Sequence, residues 1–347
     1  VRRTVGRVRA LGLVAAAATA ATLLSPTAAA APAPGAPNDD PAFVQVAVNN
    51  VENLPTVGLQ CPGDWQDLVY YLDRMPYRPD LFLVQQISGR QQLNDYTARL
   101  SSQLGEEYRA VIAENSPQAM NSPCGAPKKY QTNAVVYRAA RFSLESDPDA
   151  SVKRWQAQSD LGGGCTNNNQ ARTKAVKVRL HDRVAGRDLS VASLHWPTAA
   201  HGGKPCTESN AREAVTEIRE DGFGGDLLIL GGDTNSTGLT SANNWRSWYA
   251  RTNGDLGGSY GYRDALYADC AASGAVKDCL KDEWTLSSGR RIDFLLARRG
   301  SGGLPAVTAA DTVEWNDGDQ ADQDATGSDR ADRHYSDHRA ATARIHY

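Results

Sequence analysis

The chain of 347 residues is 41% hydrophobic and 22% charged, a balance that excludes a wholly disordered or collagen-like polypeptide and leaves room for one large domain or two small ones. Four of its 37 basic side chains fall in residues 1–38 beside no acid, so residues 39–347 hold 33 basic against 40 acidic groups, a net of −7. That charge argues against a surface devoted to unselective capture of nucleic-acid phosphates, so any polyanion must be met locally, by a cation or a few placed arginines.

Arg2, Arg3, Arg7 and Arg9 form a basic head, residues 11–24 an apolar run and residues 27–31 a small-residue stretch. That order is expected of a secretory signal over residues 1–30, with cleavage near Ala30, and the run is too short to cross a membrane. Pro32, Pro34 and Pro37 mark residues 31–40 as a stiff linker, leaving residues 41–347 as one expected domain of an exported protein without a stable membrane anchor. Cys61, Cys124, Cys165, Cys206, Cys270 and Cys279 all follow the signal, and an even count in an exported chain favours disulfides. Cys270 with Cys279 is the simplest local pair, and the absence of any Cys-x-x-Cys speaks against a zinc site.

Residues 43–48 read as a strand, 65–74 as a helix, 81–84 as an apolar strand and 93–104 as a helix. Further strands are expected at 134–137, 175–180, 189–194, 227–230, 292–296 and 340–345, with a helix at 208–219. This is the pattern of a mixed α/β layered protein. Two long loops are expected, near 145–171 and 311–335. The second holds six aspartates between Asn316 and Tyr335; it lacks the EF-hand spacing and reads as a solvated acidic loop.

Four strands stop abruptly at polar residues of ligand type: Asn49-Asn50-Val51-Glu52-Asn53, Leu194-His195-Trp196, Gly232-Asp233-Thr234-Asn235 and Ser336-Asp337-His338. Ligands of open sheets bind at strand ends, so this is where a site would assemble. Carboxylates and amides are hard oxygen donors suited to Mg²⁺, Mn²⁺ or Ca²⁺, and histidines beside them suit acid–base work on a phosphate ester. Any one of these segments alone has a plain structural reading, a buried histidine or a capped turn; the four together point to a site.

With Leu83-Val84-Gln85-Gln86, the arginine-led strand Arg172 to Val178 and Arg291-Ile292-Asp293-Phe294, these segments resemble, in order, the motifs of the endonuclease/exonuclease/phosphatase superfamily, deoxyribonuclease-I-like enzymes above all. The resemblance covers most of residues 41–347. It implies a four-layer α/β sandwich, two mixed β-sheets packed face to face with helices outside, and metal-dependent cleavage of a phosphodiester by an activated water. It implies His195 and His338 as the acid–base pair, Asp293 as the group that orients His338, and Asp233 and Asn235 as positioners of water and phosphate. Arg172 would contact a phosphate oxygen, while Asn50, Gln86 and Asp337 would hold a divalent cation, Mg²⁺ first and Mn²⁺ or Ca²⁺ as alternatives. Nucleic acid is the implied substrate.

Two departures stand out. Gln86 occupies the place of the family's metal-binding glutamate, and Gln131 the place of a glutamate that pairs with the first histidine. The alternatives these leave are a phosphodiesterase or phosphatase acting on small or lipid phosphoesters, or a catalytically weak binding protein that keeps the fold. A lipid enzyme would expose an apolar hairpin; the nearest candidates, Trp245, Trp248 and Tyr249, have the helical spacing of a core face.

Overall fold

Residues 44, 46 and 48 of the first strand are valines that face one way, while Ala47 faces the other, and the same division recurs along every central strand. A computed structural model of the chain describes residues 36–51, 72, 75–118, 130–145, 151–157, 165, 170–198, 204–220, 222–312, 336 and 338–347, which lie within one compact unit, Pro32–Tyr347. The expected signal, the helix at 65–74 apart from Leu72, Cys61, Cys124, the acidic stretch after residue 312 and Asp337 lie outside the described residues.

The strands are β1 (Phe43–Asn50), β2 (Leu81–Ile87), β3 (Tyr108–Ile112), β4 (Thr132–Arg138), β5 (Phe142–Leu144), β6 (Val152–Gln156), β7 (Lys174–Asp182), β8 (Arg187–His195), β9 (Leu227–Asp233), β10 (Arg263–Asp264), β11 (Asp293–Arg299), β12 (Val307–Thr312) and β13 (Ala341–His346). The helices are α1 (Arg90–Leu104), α2 (Lys204–Glu217), α3 (Ser247–Thr252), α4 (Ala265–Ala272) and α5 (Val276–Asp282). One sheet has the order β12-β13-β1-β2-β4-β3, the other β10-β11-β9-β8-β7-β5 with β6 also paired to β7. Each has a single parallel pair at its centre, β1 with β2 and β8 with β9, flanked by antiparallel partners.

Inner faces meet in one core. Val44, Val46, Val48, Leu81, Leu83 and Val135 of the first sheet pack against Val176, Val191, Leu227, Ile229 and Leu295 of the second. The outer face of the first sheet, with Phe82, Val84 and Val136, is covered by Leu93, Tyr96, Leu100 and Leu104 of α1. Ala192, Leu194, Leu228, Leu230 and Phe294 on the outer face of the second are covered by Ala211, Ala214 and Val215 of α2 and by Trp248 and Tyr249 of α3. The result is helix, sheet, sheet, helix: the expected four-layer sandwich. Trp248 and Tyr249 are therefore core, not an exposed hairpin.

The expected long loop at 145–171 is interrupted by β6. This strand pairs with β7 from Val152 opposite Val178 to Gln156 opposite Lys174. Likewise β12 reaches into the second expected loop. Both are edge strands, half-exposed and polar, so they lack the apolar run that marks a central strand.

The two rims of the sandwich are chemically different. At the rim where β1 and β2 begin, the fully buried Arg141 donates to Asp182 at the end of β7 (2.7 and 2.9 Å), to Asp80 just before β2 (3.1 Å) and to the Phe43 carbonyl of β1 (2.8 Å). One guanidinium thus ties the two sheets together, its charge met by two carboxylates. At the opposite rim the sheets close on glycine. A Cβ on Gly231 of β9 would lie 2.4 Å from Leu83 Cδ1 and 2.6 Å from Val48 Cγ2, and one on Gly232, with φ 152°, would lie 1.8 Å from the Leu194 carbonyl oxygen of β8. Cys165–Cys206 and Cys270–Cys279 are disulfide-bonded.

Gly231→Ala is expected to destabilise the fold by about 1–3 kcal/mol by overpacking, read from urea unfolding. A loss under about 0.5 kcal/mol would mean that the sheets can move apart there.

Candidate active site

Strand register assembles the site. His195, the last residue of β8, lies opposite Asp233, the last of β9, and Asp233 lies opposite Asp293, the first of β11. Residues in register across a sheet point to the same face, and these three share the face of Val191, Ile229 and Leu295, which is the inner one. On the facing sheet Asn50, two residues beyond Val48, is the last residue of β1 and points the same way as the inner valines. The close approach at Gly231 brings it across: Asn50 Nδ2 donates to Asp233 Oδ2 at 3.1 Å.

Asp233 is the hub. Its Oδ2 also lies 3.4 Å from His195 Nε2 and 3.9 Å from His338 Nε2, and its Oδ1 accepts from the Asn235 backbone N–H at 2.7 Å. His338 Nδ1 is 2.8 Å from Asp293 Oδ2, and its Nε2 is 3.4 Å from Asn50 Nδ2. Asn235, at φ 49°, donates from Nδ2 to the Trp196 carbonyl at 2.8 Å. His195, Asp233, Asp293, Asn50 and His338 are all at most 5% exposed. Asn50, His195, Asp233, Asn235, Asp293 and His338, drawn from five separate stretches of chain, are thus in one place.

Thr285 and Asn133, which the sequence did not single out, and Ser336 of the Ser336-Asp337-His338 segment hold these groups. Thr285 Oγ1 accepts from the backbone N–H groups of Ile292 and Asp293 (3.0 Å each), fixing the start of β11. Ser336 Oγ donates to the Asn50 carbonyl (2.6 Å) and accepts from His338 N–H (3.0 Å), so it ties the histidine to the end of β1. Asn133 of β4 donates to the carbonyls of Arg172 (2.8 Å) and Lys174 (2.9 Å), setting the short 3₁₀ turn Ala171–Thr173. Threonine and asparagine in loops and strands are too common for spacing to mark them.

Charge is concentrated here. Burial and the neighbouring Asp293 carboxylate push Asp233 up to about 7 against the partial relief of His338, Asn235 and Asn50. His195 is held well below the usual imidazole range by burial first, then by the Arg172 and His338 charges, and is therefore neutral at neutral pH. Arg172 in turn feels the Asp233 carboxylate, which places its charge at this end of the sandwich.

The donor set fits a hard divalent cation. Asp233, Asp293 and His338 offer ligand atoms within 4.8 Å of one another, and Asp293 Oδ1 is buried without a hydrogen-bond partner among the described residues. Two carboxylates kept from water, one of them pushed toward protonation, are an arrangement that a cation relieves.

The two glutamines find each other. Gln131 Nε2 donates to Gln86 Oε1 at 2.7 Å, and both side chains are buried. Gln86 sits at φ 62°, unusual for a residue with a Cβ, where the register of β2 with β4 shifts between Val84 and Ile87. The Gln86 amide oxygen thus spends one of its lone pairs on a neutral amide. His195 Nδ1 and Gln131 Oε1 are both buried without a hydrogen-bond partner among the described residues.

No family model and no curated protein matches the sequence. Solved structures do match over most of its length. The human Nocturnin catalytic domain with bound sulfate has a TM-score of 0.54 at 15% identity over 87% of this chain and 94% of its own. An endonuclease/exonuclease/phosphatase from Beutenbergia cavernae has 0.53 at 15% over 88% and 72%. TDP2 from D. rerio, complexed with a single strand DNA product, has 0.52 at 15% over 88% and 99%. The chain has the fold of the endonuclease/exonuclease/phosphatase proteins.

The folded state holds the proton on Asp233 more tightly than the unfolded chain, whose ordinary value is 3.8. With metal chelated, Asp233 therefore lowers stability progressively as pH rises from about 4 to about 7. Asp233→Asn is expected to raise stability at pH 8 by about 1–3 kcal/mol and by clearly less at pH 5, in denaturant unfolding with EDTA present. Equal effects at both pH values would show that Asp233 carries no such burden.

Proposed function

We propose that the protein is a secreted, divalent-cation-dependent phosphodiester hydrolase acting on nucleic acid in the manner of deoxyribonuclease-I-like enzymes. The observation that carries this reading is the single carboxylate oxygen, Asp233 Oδ2, reached by Asn50, His195 and His338 with Asp293 behind His338. The two disulfides fit the oxidising surroundings of an exported protein, and among the described residues no helix is long and apolar enough to cross a membrane. Residues 1–30 would be the export signal, residues 31–40 the linker and residues 41–347 the catalytic domain.

In this reading the scissile phosphate sits between His195 and His338. Asp293 holds the proton on His338 Nδ1 and aims Nε2 at the reacting group. Asp233 and Asn235 position the water and the phosphate, and Arg172 binds a non-bridging oxygen with its planar guanidinium. Between them the two imidazoles take the proton of the attacking water and return one to the leaving oxygen as the P–O bond breaks. Asn50, Asp233 and Asp293, with Asp337 and Gln86 as further candidates, would hold the cation, Mg²⁺ first. Once bound, it would neutralise charge on the phosphate and lower the barrier to displacement.

A second reading, a weakly catalytic binding protein, draws on the Gln86–Gln131 pair. Where the resemblance leads one to expect two acids, there is a neutral amide pair, and among the described residues His195 Nδ1 meets no carboxylate to fix its tautomer.

Purified protein is expected to cleave plasmid DNA or RNA with Mg²⁺ or Mn²⁺ and not with EDTA, while sphingomyelin and a chromogenic phosphodiester test the alternative substrates. No metal-dependent turnover on any of the four would leave the binding protein. His338→Ala is expected to lower kcat by about 10³-fold or more, the scale of lost acid–base catalysis, and a wild-type rate would sink the mechanism. Gln86→Glu is expected to tighten Mg²⁺ binding in calorimetry, whereas unchanged affinity would place Gln86 away from the cation.

A further inference from the structure

The loop that leaves Asp233 also builds a second feature. Residues Thr237, Gly238, Leu239, Thr240 and Ser241, followed by Trp245 and Arg246, form one wall of a pocket of about 330 Å³, and Leu280 and Lys281 of α5 with the turn Gly289–Arg290–Arg291 form the other. Its lining among the described residues includes four cationic side chains, Arg246, Lys281, Arg290 and Arg291, and no carboxylate. That is the reverse of the acidic background of the chain.

Two of the four are already neutralised. Arg291 lies 2.5 Å from Asp264, and Lys281 is 2.9 Å from Asp278. Arg246 and Arg290 are exposed and have no ion pair among the described residues. Arg246 Nε donates to Thr237 Oγ1 at 3.0 Å, which holds its guanidinium along the pocket wall. Lys277, over the Trp245 ring at 5.1 Å, adds a further cation beside the pocket.

The pocket adjoins the catalytic cluster directly. Arg290 Nη2 approaches the Asn235 carbonyl at 3.5 Å, two residues beyond Asp233. The same turn is bridged to the site from its other side, where Leu286 pairs with His338. A strand whose scissile phosphate lay between the histidines would therefore place a neighbouring nucleotide here. The volume and the mix of apolar wall and unpaired guanidinium suit one nucleotide with its phosphate. An anionic lipid would need a broader exposed apolar surface than Leu239 and the half-buried Trp245 provide.

We propose that this pocket is a second phosphate subsite, in which Arg246 and Arg290 hold the nucleotide next to the scissile phosphate of a polynucleotide. The proposal rests on the nuclease reading of the cluster, and it sets a preference: substrates with more than one phosphate are favoured over single diesters.

The test uses the Arg246→Gln/Arg290→Gln double variant of the full protein. With EDTA present to prevent cleavage, a fluorescein-labelled single-stranded DNA 12-mer is titrated by anisotropy at several salt concentrations. Affinity is expected to fall about tenfold, and the slope of log K against log salt by about 0.7, the value for one lost phosphate contact on a single strand. Arg246→Lys/Arg290→Lys is expected to restore most of the slope, which a loss through misfolding would not allow. With Mg²⁺, kcat/KM is expected to fall about ten times further on the 12-mer than on a dinucleoside monophosphate, which has only the scissile phosphate. Unchanged 12-mer affinity, or equal losses on the two substrates, would overturn the subsite. So would a variant that loses binding to phosphatidylglycerol vesicles but keeps its affinity for the 12-mer. A wild type that binds the 12-mer through these arginines but cleaves neither substrate would overturn the nuclease reading while leaving the subsite standing.

Discussion

Between Gly231 and the side chains of Val48 and Leu83 there is no room for a methyl group, and the site depends on that closeness. Two β-sheets packed face to face normally keep about 10 Å between their backbones, a gap that only sizeable side chains fill. At the rim where β1 and β9 end, the glycine lets them approach more closely. Asn50 of one sheet and Asp233 of the other then touch two residues further on. At the other rim Arg141 does the corresponding work with charge, gathering carboxylates and carbonyls of both sheets around one guanidinium. One end is closed by ion pairs around a guanidinium whose every nitrogen is hydrogen-bonded, the other by a contact that leaves polar atoms of the site with hydrogen bonds unmade among the described residues.

Those unmade bonds give the rim its chemistry. Every guanidinium nitrogen of Arg141 has an acceptor, whereas here Asp293 Oδ1, His195 Nδ1 and Gln131 Oε1 are buried with no hydrogen-bond partner among the described residues. Burial first, and then the neighbouring Asp293 carboxylate, raises Asp233 to about 7, and burial strips His195 of its proton. Such a place is costly for the fold, and its donor set fits a hard cation, which would relieve it. The Gln86–Gln131 pair runs the other way. It removes charge from the flank of the site and settles the two amides on each other, so the negative field is carried by Asp233 and Asp293.

How much could be read from the sequence divides along one line. Every strand expected from it, β1, β2, β4, β7, β8, β9, β11 and β13, lies inside a sheet. The strands it missed, β3, β5, β6, β10 and β12, lie at the edges or, in β5 and β6, share one flank of β7. Interior strands are covered on both faces and so are apolar at nearly every position; edge strands are partly solvated and read as loop. The same reasoning explains the helices. The long amphipathic α1 and α2 were legible, whereas α3, α4 and α5, of six to eight residues, are too short to show a period.

By itself the sequence determined the class of fold, the strands of its interior and the residues at their ends, because an apolar run that stops at a polar residue is a local fact. It named Asn50, His195, Asp233, Asn235 and His338 at strand ends, and Asp293 through its resemblance to the endonuclease/exonuclease/phosphatase motifs, without any distance between them. The tertiary structure decided that they meet, since their meeting depends on strand register and on how closely two sheets approach, which are properties of segments far apart in the chain. It alone paired Gln86 with Gln131 and left His195 Nδ1 without a hydrogen-bond partner among the described residues, and it alone gathered Arg246 and Arg290 beside the candidate site. Hydrogen bonds and unpaired charges belong to pairs of residues, and only the folded chain says which residues are neighbours.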